Sequence, residues 1–184
     1  MDLILLPVRP ISMKNSTYLL ILLSFFATSC RSTLPNLFGK RTPHEKYEDK
    51  LKDTGAANSP EGRLWLAAAQ NAITNAQPIT LPYRLQGFFQ DDKPRALGLS
   101  FTAKRGERIS FELSQDEELA FYADLYQVNG NEPTHILSME PGAKIFHYDV
   151  NEAGNYVLRI QPEIRVAGNF GLEMNVGPSL DFPV

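Results

Sequence analysis

From Ile79 to the end of the chain, apolar residues fall on alternate positions. This period of two is the signature of strands with one face turned to a core, and it constrains the fold more than any other feature. Candidate strands run over 79–89, 95–103, 108–113, 120–128, 134–139, 144–150, 154–161 and 169–176. Leu97, Leu99, Phe101 and Ala103 alternate cleanly, as do Ile109, Phe111 and Leu113, and Phe170, Leu172, Met174 and Val176. Turn formers separate the runs: Asp91-Asp92-Lys93-Pro94, Lys104-Arg105-Gly106-Glu107, Asn129-Gly130-Asn131, Pro141-Gly142 and Ala167-Gly168. Asn-Gly is the strongest hairpin signal among them. About eight short strands at this spacing predict a mainly β fold, an antiparallel β-sandwich with jelly-roll-like connections. A barrel has the same periodicity and stays open as the alternative. Residues 154–162 read as a half-buried strand, with Tyr156, Leu158 and Ile160 alternating with Val157, Arg159 and Gln161. Asn151 to Gly154 turns into it and Pro162, which cannot donate the next ladder bond, stops it.

Two short helices are expected ahead of the strands. Thr42-Pro43-His44-Glu45 is a capping box with proline in the first helical position, where a missing N–H costs nothing. Tyr47 and Leu51 share a face at i, i+4, and Gly55 is a C-terminal stop. Ser59-Pro60 opens the second helix in the same way. Its rows Leu64, Ala68, Ala72 and Trp65, Ala69, Ile73 form an apolar stripe wide enough to pack on a sheet or on the first helix. Gln77-Pro78 ends it. A docked helical hairpin is the reading, in preference to a binding groove.

The N-terminal part carries an address. Met13-Lys14, an apolar run over 18–26 and Ala27-Thr28-Ser29 before Cys30 are the parts of a secretory signal. The run is too short to span a bilayer, which takes about 20 apolar residues. Residues 1–12 contain Asp2, Pro7 and Pro10 and make a poor signal start, so translation is expected at Met13; an N-terminal peptide containing Asp2 would refute that. Cys30 is the only cysteine, so no internal disulfide can form. Its place after small residues resembles a bacterial lipoprotein signal, in which the thiol takes a diacylglycerol. Ala27 departs from the leucine usual in that pattern. Acyl chains at about 0.8 kcal/mol per buried methylene would hold the protein on a membrane. Arg31, rather than aspartate, fits an outer-membrane destination facing the periplasm. The expected division is a signal over 1–29, a tether over 30–41, a helical hairpin over 42–77 and a β-sandwich over 78–184.

Local motifs offer little chemistry. The chain has 184 residues, a net charge of −3 and three histidines, His44, His135 and His147. That charge argues against nucleic acid as a partner. The histidines make no metal motif with their sequence neighbours, and His44 and His147 read as surface or strand residues. No metal ligand, cofactor or catalytic residue is assigned. Residues 149–154 hint at a calcium loop but fail at Ala153 and Ile160 and read as a turn. Asp116, Glu117 and Glu118 read as a solvated loop. Lys104, Arg105 and Arg108 make a small basic cluster that Glu107 interrupts. Phe88, Phe89, Phe121, Tyr122 and Tyr126 could stack on sugars, but packing in a β core explains them more simply.

Several blocks carry a family resemblance: Thr-Pro-His-Glu-Lys-Tyr (42–47), Gly-Arg-Leu-Trp-Leu-Ala-Ala (62–68), Leu-Pro-Tyr-Arg (81–84), Pro-Arg-Ala-Leu-Gly-Leu (94–99), Ala-Lys-Arg-Gly-Glu (103–107) and Gly-Pro-Ser-Leu-Asp-Phe-Pro-Val (177–184). Together they resemble the region ahead of the catalytic domain in exported, lysostaphin-like zinc metallopeptidases, which cut peptidoglycan. The β part resembles the pre-peptidase sandwich modules of secreted bacterial proteases. The family holds zinc with His-x-x-x-Asp and a later His-x-His, and neither occurs in this sequence. The resemblance implies a non-catalytic accessory module, anchored to a membrane through lipidated Cys30, with peptidoglycan or a cell-wall peptidase as partner. Two alternatives stay open: a truncated record of a complete zinc endopeptidase, and a stand-alone carbohydrate- or calcium-binding adhesion module.

Overall fold

The computed structural model describes residues 41–116, 120–130 and 132–180. The expected signal, Cys30, nearly all of the tether, Glu117, Glu118 and the last four residues lie outside them. From Arg41 onward the chain forms one compact unit.

Helix α1 spans Pro43–Asp53 and α2 spans Pro60–Thr74, with a single 3-10 turn, Ala56–Asn58, between them. Their starts follow the sequence signals. The Thr42 hydroxyl accepts from the Glu45 N–H, and the Glu45 carboxylate accepts from the Thr42 N–H. The Ser59 hydroxyl accepts from the Gly62 N–H. Gly55 takes the left-handed conformation after α1, where a side chain would be strained.

Among the described residues nine strands follow: β1 Gln77–Pro78, β2 Tyr83–Phe89, β3 Leu97–Ala103, β4 Glu107–Gln115, β5 Phe121–Asn129, β6 Glu132–Ser138, β7 Ile145–Asp149, β8 Gly154–Pro162 and β9 Gly168–Pro178. They form two sheets, in the orders β1-β3-β8-β5-β6 and β2-β9-β4-β7. Without the short β1, the two sheets have the strand order of a jelly roll, the expected sandwich, with successive strands changing sheet except at the β5–β6 hairpin. Two details differ from expectation. β1 pairs parallel to β3, so the five-stranded sheet is mixed. The expected strand over 79–89 begins its ladder only at Tyr83, because residues 77–78 have already joined the other sheet.

The main core lies between the sheets. Leu99, Phe101, Leu125, Tyr156, Leu158 and Ile160 face Ile109, Phe111, Leu113, Phe170, Leu172 and Met174, all buried. A second, smaller cluster of Leu51, Ala57 and Trp65 lies under the helices, with Tyr47, Leu66, Tyr122 and Ile164 against it. The helices therefore cover the outer face of the five-stranded sheet. This overturns the expectation of a half-buried β8. Tyr156, Leu158 and Ile160 alternate into the main core as expected, but Val157, Arg159 and Gln161 on the opposite face are buried as well.

The approach of α2 to the sheet depends on Gly98. A Cβ there would stand 1.7 Å from the backbone oxygen of Ala72, so helix and strand backbones touch with nothing between them. Gly98→Ala would force the two apart. Overpacking of this kind costs about 1–3 kcal/mol, so a lowered Tm is expected in calorimetry. An unchanged Tm would mean that α2 does not rest on Gly98. The expected apolar stripe of α2 is narrower than its sequence suggested: Trp65, Ala69 and Ala72 are buried, while Leu64 is 58% exposed.

Candidate functional site

The outward side chains of the central strand build the site. β8 runs between β3 and β5, and its position under the helices forces Gln161 and Arg159 to find partners inside the protein, since unpaired buried polar groups are costly. Gln161 is fully buried. Its Nε2 donates to the carbonyl of Trp65 at 2.8 Å, and its Oε1 lies 2.8 Å from Nε2 of His44. A carbonyl only accepts, so the amide can point only one way. His44 must then donate through Nε2–H, which fixes its tautomer. Trp65, also fully buried, donates its indole N–H to the Pro162 carbonyl at 2.8 Å. The His44 and Trp65 rings stack with centroids 4.7 Å apart. Tyr47 and Tyr122 close the aromatic cluster edge-on and tilted, and the Tyr47 hydroxyl accepts from the Ile164 N–H. One residue from each helix is thus locked onto one strand end.

His44 was expected on the surface and is instead 2% exposed. Burial, and next the nearby Arg159 charge, lower its pKa from the ordinary 6.5, with the Gln161 hydrogen bond opposing. The unfolded chain then binds a proton more readily than the folded one. Stability from this site is full above about 6.5 and falls as the pH drops below it. The slope is at most about 1.4 kcal/mol per pH unit. Urea unfolding between pH 7.5 and 5 should show this loss, and His44→Gln should flatten it. Equal slopes in the two proteins would contradict the buried neutral imidazole.

Beside this lock lies a buried charge pair. Arg159 donates to Asp124 at 2.6 Å, with side-chain exposures of 7% and 1%. Ser138 donates to the other Asp124 oxygen at 2.5 Å, and His135 Nε2 stands 2.9 Å from the Ser138 hydroxyl. The Arg159 guanidinium lies 5.2 Å over the Tyr126 ring. Burial alone would raise the Asp124 pKa, but His135, Arg159 and Ser138 outweigh it and hold it down at about 2. Serine, histidine and aspartate meet here without forming a nucleophilic triad. A triad needs the serine to donate to the histidine while the aspartate orients the far ring nitrogen. Here the serine donates to the aspartate, and the same ring nitrogen of His135 faces both, 3.8 Å from Asp124. The arrangement holds a charge in place and activates no hydroxyl.

The other candidates from sequence are dispersed. His147 sits exposed on β7 against the Ser110 hydroxyl. Asp116 accepts from the backbone and side-chain amides of Asn169, tying β4 to β9. Asp149 pairs with Arg108 at 2.6 Å rather than opening a calcium loop. The Glu107 carboxylate accepts from the Lys104 backbone N–H, and Arg108 of the small basic cluster is spent on Asp149. Of the five aromatics considered for stacking, Phe89 and Phe121 are buried, Tyr122 and Tyr126 are half-buried, and Phe88 is 57% exposed. Among the described residues no three His, Cys, Asp or Glu side chains converge to hold a metal.

No protein-family model matches the chain, and no curated protein matches it. Among solved structures it is similar to PliG of Aeromonas hydrophila, a periplasmic inhibitor of g-type lysozyme, at 11% identity and TM-score 0.44 over 55% of this chain and 97% of that one. It is similar to the pre-peptidase C-terminal domain of a Bacillus anthracis collagenase at 12% identity and TM-score 0.46, over 54% and 94% of the two chains. Salmonella Typhimurium PliG is similar at 13% identity and TM-score 0.37, over 55% and 100%. None of these likenesses assigns a role to a residue around Gln161.

Proposed function

We propose that the protein is a lipid-anchored accessory module of the bacterial cell envelope that positions or assists a peptidoglycan-cutting metallopeptidase. The observation that carries this reading is the locked hairpin. His44 is bonded to Gln161, and Trp65 to Pro162, so the first helix after the tether is fixed to the central strand of the sandwich. A domain hung from a lipid by Cys30 then presents its surfaces from a defined attachment point. The resemblance of the sequence blocks to the pre-catalytic region of lysostaphin-like peptidases supplies the partner class. Cys30 after Ala27-Thr28-Ser29 supplies the anchor.

The test is made in the source bacterium. The wild-type chain is expected to take radioactive palmitate and to sediment with membranes, and Cys30→Ser to do neither. Loss of the chain should raise the cross-linked fraction of the wall peptides, and Cys30→Ser should reproduce part of that rise. An unlabelled wild-type chain would remove the anchor. An unchanged cross-link profile on deletion would remove the peptidase-assisting role.

A further inference from the structure

We propose that the outer face of the four-stranded sheet binds an uncharged polysaccharide strand in a hollow over Gly171, between Gln86 and Ser114, with Phe88 as the stacking platform. This deepens the reading above by naming what the module would hold, and it stands on different residues from the anchor and the lock.

The two sheets differ in what lies on their outer faces. The five-stranded sheet is covered by α1 and α2. No described element covers the four-stranded one. Its register sets Gln86, Gly171 and Ser114 side by side across β2, β9 and β4. The middle position has no side chain, which leaves a hollow of about 360 Å³ that also reaches Asp116 and Asn169. A second hollow of about 280 Å³ adjoins it, sharing Gln86, Ser114 and Gly171 and running toward Arg84 and Glu173. Together they make a groove along the sheet.

Gly171 needs a reason to be glycine. It sits inside a strand, where glycine weakens the sheet, and its missing side chain leaves room for the Ser114 hydroxyl. No left-handed backbone requires it. The space a Cβ would take is overhung by the Ser114 hydroxyl, 2.5 Å away. That distance places the hydroxyl at the hollow itself.

Phe88 also lacks a reason within the core. It points outward on β2, one row from Gln86, opposite Asn169. The negative face of an aromatic ring attracts weakly positive C–H groups, such as those on the flat side of a sugar. The polar groups lining the neighbouring hollow match hydroxyls. An amide and a serine hydroxyl can each donate and accept, as a sugar hydroxyl does, and Asp116 accepts. The charges on this face argue against an ionic ligand. Arg84 is paired to Glu173, and Arg108 to Asp149, so an acidic polymer meets no uncommitted pair of arginines.

The experiment titrates the full chain in detergent with tetra-N-acetylchitotetraose, a soluble neutral glycan, by calorimetry. Heparin serves as an acidic contrast. Saturable binding of the neutral glycan, insensitive to salt, is expected. Phe88→Ala should weaken it about tenfold, the factor that corresponds to 1.4 kcal/mol. Gly171→Ala puts a methyl group into the floor of the hollow and pushes the Ser114 hydroxyl aside, and should weaken binding at least as much as Phe88→Ala with the melting temperature retained. If Gly171→Ala melts low, the exposed Gln86→Ala replaces it, with a loss of at least fivefold expected. No binding of the neutral glycan, binding undiminished in Phe88→Ala and the groove variant, or tighter salt-sensitive binding of heparin would each overturn the proposal. A positive titration beside an unchanged cross-link profile would keep the groove and remove only the peptidase partner.

Discussion

Trp65→Ala is expected to cost about 3–5 kcal/mol, the range for truncating a buried large aromatic. Three terms add at this residue. Its side chain is fully buried in the small cluster under the helices. Its ring stacks on His44. Its N–H satisfies the Pro162 carbonyl, which would be left unpaired in a dry place. A domain of this size has about 5–15 kcal/mol in total, so the loss is a large share. Urea unfolding followed by far-UV circular dichroism checks it. Trp65→Phe keeps most of the area and loses the hydrogen bond, and should cost about 1–3 kcal/mol. A Trp65→Ala protein within about 1 kcal/mol of the original would mean that the hairpin contributes little to the fold.

Arg159→Met is expected to cost about 3–5 kcal/mol, because it leaves the buried Asp124 carboxylate without its counter-ion. Asp124→Leu should cost a similar amount by stranding the guanidinium. The double variant should recover most of the loss, since apolar residues of similar volume replace a buried pair at little or no cost. The three measurements form a double-mutant cycle with strong coupling. The same pair sets an acid limit. The Asp124 pKa is depressed to about 2, so its contribution is full above the ordinary carboxylate value of about 3.9. It is lost as the pH falls from there toward 2. Additive losses in the cycle would contradict the pairing.

Much of the backbone was legible in the sequence. The capping box at Thr42 and Glu45, the cap at Ser59 and the alternation of Leu97, Leu99 and Phe101 are local signals, and each formed where it was read. The site was less legible because its partners are far apart. His44 stands beside Glu45 and Lys46 and reads as part of a charged turn, yet it bonds a residue 117 positions away. One signal was present: His44, Tyr47 and Leu51 fall at i, i+3 and i+7, on a single helical face. Arg159 and Gln161 alternate with core residues, so period two alone places them toward solvent. A strand covered on both faces buries both sets, and only the helices above β8 reveal that. The hollow over Gly171 was likewise invisible, because its walls come from three strands that topology alone makes neighbours.

The hairpin is locked onto β8 through His44 and Trp65, and the Trp65 indole reports on that lock directly. Trp65 is the only tryptophan in the chain, so its side-chain N–H gives one proton signal that needs no assignment strategy. In deuterated water at neutral pH, that proton should exchange only as slowly as the slowest backbone amides of β8, since its release requires the hairpin to leave the sheet. Its protection, taken relative to the intrinsic exchange rate at each pH, should fall as the pH drops below about 6.5, because the unlocked state binds a proton at His44 more readily than the locked one. Loss of the signal within the dead time at neutral pH, while the β8 amides stay protected, would contradict the locked hairpin.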